Sequence, residues 1–488
     1  MDLSGRACSA PASLAFSADA PAHSLSSRKS FMTTHESVLE LIGNTPIVEL
    51  QNLDTGPCRL FVKMESQNPG GSIKDRIGLS MIEEAEKSGR IKPGDTLIEA
   101  TAGNTGLGLA LVAALKGYKL ILILPDKMSQ EKIFHLRAMG AQVITTRSDV
   151  GRGHPDYYQD VAERLEKEMD GALWINQFEN AANPTAHREG TGPEIWEQMD
   201  HDVDAVICGV GSGGTLTGVG RFLQSVKPDI EMVLADPEGS ILVDVVRTGE
   251  IQNEPGSWLV EGMGEDFVPK NADLDVASEA IVVTDNDSLN AARELLLKEG
   301  IFAGSSSGCL VKAALDYCRK QTEPKRVLTF ICDSGNKYLS KMFNDYWMLD
   351  QGFMERETYG DLRDLITRRA EEGGVISVTP EDTLLNAYGR MRMYDVSQLP
   401  VLDGDQIVGI IDESDILLAV HDRQERFEEP CSKHMTDRLE LVTPDTPVDQ
   451  LMHIFRAGHV VLVVGDDQFY GLITISDYLN YHRRKSLK

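Results

Sequence analysis

The sequence is short of positive charge. Its 48 lysines and arginines face 76 aspartates and glutamates, a formal net charge of −28, which argues against a broad basic face for nucleic acid or an anionic membrane. An anionic substrate must then be drawn in by a local site. Cysteine is scarce as well: seven residues (Cys8, Cys58, Cys208, Cys309, Cys318, Cys332, Cys431), odd in number and without a Cys-x-x-Cys pair. That supports neither a disulfide framework nor a metal centre, and it fits a reducing, cytoplasmic compartment. No apolar run is long enough to span a bilayer. The first 31 residues are rich in Ala and Ser, carry Asp2 and Asp19, and lack a secretory hydrophobic segment. Residues 1–35 therefore read as a disordered extension or a misassigned start.

What is present is ordinary globular material, 41% hydrophobic and 25% charged. Its length suggests about three domains. From Thr96 to Arg147 short apolar strands alternate with helical stretches: strands at 96–100, 118–125 and 141–147, helices at 105–116 and 129–139. The alternation resumes at Asp204–Val210, Thr215–Leu223 and Glu231–Ala235. This spacing predicts βαβ units, hence two parallel-sheet α/β subdomains with a cleft between them. A charged stretch over 351–373 reads as a linker helix. Beyond it Val378-Thr379-Pro380 recurs as Val442-Thr443-Pro444, and Gly409–Leu417 recurs as Gly471–Leu479, offsets of 64 and 62 residues. The two copies, 374–433 and 434–488, are each small for an independent core and are expected to pack as a pair.

The most telling segment is Gly70-Gly71-Ser72-Ile73-Lys74-Asp75-Arg76. Two glycines let backbone approach a ligand, and Lys74 stands at the start of an amphipathic helix. Such a lysine suits a Schiff base with a cofactor aldehyde, though a solvated lysine at a helix start fits this segment alone equally well. Thr101-Ala102-Gly103-Asn104-Thr105-Gly106 ends a strand and opens a helix, an anion site suited to an α-carboxylate; a plain turn capped by Thr101 or Thr105 is the alternative. Gly211-Ser212-Gly213-Gly214-Thr215 also joins strand to helix and offers N–H groups and hydroxyls to a phosphate, without the spacing of a dinucleotide or P-loop motif. Gly304-Ser305-Ser306-Ser307-Gly308 opens another helix, and on its own reads as a capping serine run.

Taken in order and together with Gln177, Asn180 and Asn183-Pro184, these motifs make residues 36–350 resemble the fold-type II pyridoxal-phosphate (PLP) enzymes of the cysteine synthase and cystathionine β-synthase family. The resemblance implies that Lys74 holds PLP and shuttles the substrate Cα proton. It implies that Asn104 meets the ring 3′-oxygen, that Gly211, Ser212, Gly213, Gly214 and Thr215 cradle the phosphate, and that Ser306 faces the pyridine nitrogen. Thr101, Ala102, Gly103, Thr105 and Gln177 would hold the substrate carboxylate. The chain departs from most relatives at Ala102, where serine is usual, and at Glu265, where some carry tyrosine.

Val260–Phe267 and the segment through Asp333-Ser334 and Tyr338–Lys341 resemble the branch that joins L-serine, or an activated serine, to L-homocysteine through an aminoacrylate intermediate, giving cystathionine. Gly192–Trp196 is more like the sulfide-using branch, which makes cysteine from O-acetylserine. A retired catalytic half serving as an adenosyl-ligand sensor is a third reading. The first 40 residues lack the Cys-Pro-Trp segment of haem-bearing relatives, so no haem is expected. The repeats resemble paired regulatory CBS domains, with Thr474 and Asp477 matching a ribose-binding pattern and Asp412 and Asp415 at the equivalent places. An adenosyl ligand and a homodimer or higher homo-oligomer are what that resemblance implies.

Overall fold

The strand segments 97–100, 120–125, 205–208 and 232–237 are buried at every consecutive position, hence on both faces, which is what a sheet covered by helices on either side demands. The computed structural model describes residues 34–486 apart from 102, 127, 129, 152, 466 and 467. The expected extension over 1–35 thus lies almost wholly outside the described residues, as does the departure at Ala102. The chain divides into two compact units that part between Asn344 and Asp345.

In the first unit β1 (Ile47–Glu49), β2 (Arg59–Lys63), β3 (Thr96–Ala100), β4 (Lys119–Pro125), β5 (Gln142–Thr146), β6 (Ala172–Trp174), β7 (Ala205–Gly209), β8 (Glu231–Pro237), β9 (Glu279–Val283) and β10 (Arg326–Phe330) form two sheets. One has the order β5-β4-β3-β6 and the other β1-β2-β10-β7-β8-β9. All pairings are parallel except β1 with β2. The expected pair of parallel-sheet α/β subdomains is what forms. The two-residue period of a strand sorts β4 onto two cores. Leu120, Leu122 and Leu124 join one cluster with Leu97, Met81, Ile82 and Leu107, while Ile121 and Ile123 join Ile98, Val161 and Ala162 on the opposite face.

Two helices follow from the motifs: α1 (Lys74–Lys87) and α2 (Asn104–Lys116). They approach so closely at Gly78 and Gly108 that a Cβ on Gly78 would lie 2.7 Å from the Gly108 carbonyl carbon, and one on Gly108 2.7 Å from the Lys74 carbonyl oxygen. Glycine at both positions is therefore what lets the start of α1 lie against α2. Elsewhere, a helix over Gly214–Val226 follows β7, and one over Ser305–Arg319 follows the helix Asp285–Glu299 and leads into β10.

The second unit holds β11 (Gln398–Asp403) paired antiparallel with β12 (Gln406–Asp412), and β13 (Leu441–Val442), β14 (Val461–Gly465) and β15 (Gln468–Ile473) in a second sheet. Each repeat has its own apolar cluster. The expectation of a linker helix over 351–373 is corrected. Within it the one helical turn is the short 3₁₀ element Leu362–Leu365. Leu362, Leu365 and Ile366 are buried in the second repeat's core beside Leu451, Val461 and Ile473. The Ala370 N–H donates to the Tyr470 carbonyl at 2.8 Å. The charge pattern misled because Leu362, Leu365 and Ile366 sit among ten charged residues, yet burial of those three decides where the segment goes.

Candidate active site

Parallel strands deliver their C-terminal ends to one edge, and ligands of open α/β sheets gather there. The segments after β3, β7 and β10 converge in this way. Lys74 is the first residue of α1 and only partly exposed. Burial pushes its ammonium below the usual lysine range, with Asp333 and Glu265 pulling the other way. Its loop is laced to the strand that follows β10: the Ile73 N–H donates to the Cys332 carbonyl at 2.9 Å, and Ser72 bridges Asp333. The Asp75 carboxyl accepts from the Gly70 N–H at 2.5 Å and is pushed up by burial to about 7.

Helix α2 starts after Gly103, with no side chain capping it. Neither threonine caps the helix, as the alternative reading of this turn had it; the Thr105 hydroxyl donates to Gln177 Oε1 at 2.6 Å. Gln177 and Thr105 are both buried. The N–H groups of Asn104 and Thr105 meet no acceptor among the described residues. Asn104 Nδ2 donates to Asp333 Oδ2 at 2.8 Å, and its Oδ1 accepts from Lys337 Nζ at 2.7 Å. Thr101 is buried, and the Gly103 N–H donates to its hydroxyl at 3.4 Å.

The helix after β7 opens at Gly213, whose φ of 85° is left-handed and natural for glycine. No acceptor among the described residues is placed on the N–H groups of Ser212, Gly213, Gly214 or Thr215. Four free donors at a helix N-terminus are a ready anion cradle, so the residues present fit a phosphate. The Ser212 hydroxyl accepts from Asn183 Nδ2 at 2.9 Å, and the same amide reaches the Gln177 carbonyl at 2.8 Å. This ties the two loops together. Thr215 Oγ1 lies 3.3 Å from Nε2 of the buried His187, whose imidazolium is strongly disfavoured by burial. A Cβ on Gly211 would sit 2.6 Å from the Gly262 carbonyl oxygen, so glycine is required there too.

Ser306 is buried in the first turn of its helix, which Gly304 precedes without any serine cap. The neighbouring thiol of Cys332 is pushed by burial to about 12.

Sequence reasoning overlooked several groups here. Asp333 and Tyr338 stood only inside a longer segment, although residues just beyond the end of β10 are where a parallel sheet places chemistry. Tyr338 donates to Asp333 Oδ2 at 2.9 Å. Lys132 and Lys341 both pair with Glu261, the latter at 2.7 Å. Burial works against ionising Glu261, yet the two lysines hold it below the usual carboxylate range. Among the described residues no group of three or more His, Cys, Asp or Glu is arranged to hold a metal.

The four regulatory candidates lie in the second unit, as separate pairs. Asp412 and Asp415 cap each other reciprocally, Asp415 N–H to Asp412 at 2.8 Å and Asp412 N–H to Asp415 at 3.0 Å. Asp477 Oδ2 accepts from the Thr474 N–H at 2.7 Å and hydroxyl at 2.6 Å, while its Oδ1 takes the Thr367 hydroxyl.

The fold and this site define a pyridoxal-phosphate-dependent enzyme carrying a CBS-domain pair. The family model for pyridoxal-phosphate-dependent enzymes matches residues 38–333, and that for the CBS domain matches 362–422 and 431–484. A cystathionine β-synthase of Dictyostelium discoideum is 34% identical over 93% of each chain. One of Apis mellifera is 42% identical over 65% of this chain and 63% of that relative. The solved structure of a hydrogen sulfide-producing enzyme from Fusobacterium nucleatum superposes with a TM-score of 0.59, at 40% identity, over 63% of this chain and all of that one. The chain belongs to the cystathionine β-synthase family.

Proposed function

We propose that this chain condenses L-serine, or an activated serine, with L-homocysteine to give cystathionine. The observation that carries the reading is the meeting, in one unit, of a desolvated lysine and the free N–H groups of two helix starts. When bound, PLP supplies an electron sink for the pair left at the substrate Cα. Lys74 holds the cofactor and moves the Cα proton, a task its depressed basicity suits. The N–H groups of 212–215 with the Ser212 and Thr215 hydroxyls hold the phosphate, Asn104 the ring 3′-oxygen, and Ser306 the pyridine nitrogen, where a neutral hydroxyl restrains ring protonation. Thr101, Ala102, Gly103, Thr105 and Gln177 hold the substrate carboxylate at the free N-terminus of α2. Family membership supports each of these roles.

The second unit is the regulatory part of this reading. The catalytic domain of this reading is 36–350, of which 345–350 fall in the second compact unit; 374–433 and 434–488 are the repeats, and an adenosyl ligand uses Thr474 and Asp477. The assembly is a homodimer or larger, in the cytoplasm.

A product assay tests the main claim. PLP-loaded protein is offered serine and O-acetylserine in turn, with equal homocysteine and sulfide in competition, and products are separated by mass spectrometry. Mostly cystathionine is expected; mostly cysteine overturns the reading in favour of a sulfide-using synthase.

A further inference from the structure

Lys337 is a cation with a precise and unassigned set of contacts. It lies in the short turn Gly335–Tyr338 and is 8% exposed. Its Nζ donates to Asn104 Oδ1 at 2.7 Å and to the Gly71 carbonyl at 3.2 Å. The first partner starts α2; the second belongs to the loop that ends in Lys74. Asp333, fully buried, takes the other end of the same amide at 2.8 Å and is itself held by Tyr338.

A side-chain amide is nearly symmetric in shape but not in chemistry: one end only accepts, the other only donates. An ammonium has no acceptor, so it can face only the oxygen. Asp333 Oδ2 already accepts the Tyr338 hydroxyl and so offers the amide an acceptor, which can face only the NH₂. Lys337 and Asp333 therefore fix the orientation of Asn104 from both sides, and one amide hydrogen is left for a further acceptor. Lys337 also pins the Gly71 carbonyl, so one charge ties the Asn104 amide to the Lys74 loop. Burial lowers the basicity of Lys337, opposed by Asp333 and Asp75; a buried cation kept on these two oxygens loses hydration that only good hydrogen bonds replace.

We propose that Lys337 is a positioning residue that orients the Asn104 amide toward the cofactor ring and keeps the Lys74 loop in register with α2. The proposal rests on the reading that Asn104 meets the ring and Lys74 holds the cofactor. Lys337 acts through Asn104 and Gly71, not on the substrate.

The test compares Lys337→Met, Lys337→Arg and Lys74→Ala in the full chain. Its readouts are the visible absorbance and fluorescence of the bound cofactor, PLP affinity by titration, and separate kcat and KM values. Loss of one charge-assisted hydrogen bond predicts PLP bound about tenfold or more weakly by Lys337→Met, with an altered cofactor spectrum, kcat lowered more than KM is raised, and recovery of most of each in Lys337→Arg. A purely structural lysine would lower thermal stability while leaving the spectrum of the folded holoenzyme unchanged, and that result overturns the proposal. If Lys337→Met does not fold, Lys337→Leu, which also removes the donor, carries the same comparison. Lys74→Ala separates the two layers. Should it retain the wild-type visible spectrum, the underlying reading fails; should it lose that spectrum while Lys337→Met keeps it, only the Lys337 proposal fails.

Discussion

Single residues in this chain carry unusually specific demands, and Glu99 is one. It closes β3 just before the loop of Thr101 to Thr105, is fully buried, and neither carboxyl oxygen has a hydrogen-bond partner. Burial pushes it to about 8. Its unfolded value is about 4.3. Between those values the native state holds more protons than the unfolded one, so stability falls as pH rises through that window and levels off above it. Glu99→Gln keeps the shape and removes the ionisation. The urea midpoint of the variant should match wild type near pH 4 and exceed it above about pH 8. Asp75 and Asp236 titrate in the same direction in both proteins, so the difference between the two curves isolates Glu99. A gap that does not widen with pH refutes the account. Gly214 makes a second demand. A Cβ there would fall 1.9 Å from Asn183 Oδ1, so Gly214→Ala must displace the amide that joins Ser212 to Gln177. PLP affinity should drop by about tenfold or more, the scale of one lost charge-assisted hydrogen bond, and an unchanged titration would show that the loop yields without cost.

Between elements, the start of α1 is fixed by charge as well as by close packing. Arg76, two residues after Lys74, is bidentate to Glu65 at 2.8 Å and to Glu194 at 2.7 Å. Glu65 is fully buried. Removing the arginine leaves a buried carboxylate uncompensated, a loss of about 3–5 kcal/mol. Arg76→Met should show it as a lowered urea midpoint with an unchanged slope; a change under about 1 kcal/mol would mean that Lys63 and Thr45 suffice for Glu65 and Glu194. None of this was legible in the sequence, where Glu65, Arg76 and Glu194 are 11 and 118 residues apart. What was legible was local. The apolar runs of β3, β4 and β7 and the glycine punctuation of the helix starts depend on near neighbours, so their period survives in one dimension. Asn104 and Ser212 stand in such strand–helix turns, while Lys74 and Ser306 stand at helix starts that glycines mark in the sequence. Lys337, Asp333 and Glu261 act across long separations, through partners that only the folded chain brings together. The 351–373 segment was misjudged for the same reason, since its apolar residues are explained by the second repeat and not by their own neighbours.

At the scale of the whole molecule the chain has two units with separate cores, so heat should unfold it in more than one step and a ligand should stabilise the unit that binds it. The proposed adenosyl site meets an internal competitor. Asp477 Oδ1 is taken by the Thr367 hydroxyl, and Thr474 occupies Oδ2, leaving little of the carboxylate free for a ribose. A ligand must share Oδ1 or displace Thr367, which costs the ligand about one hydrogen bond of affinity. Thr367→Val removes the competing donor and keeps the shape. Calorimetric titration with S-adenosylmethionine or AMP should find the variant binding about fivefold more tightly than wild type, with Asp477→Ala showing no heat at that site. At a ligand concentration of 100 times Kd, mass action adds about 2.7 kcal/mol to the second unit alone, so only its thermal transition should move. Equal binding by wild type and Asp477→Ala would remove Asp477 from the site, and tighter binding by Thr367→Val could then not be ascribed to a freed carboxylate.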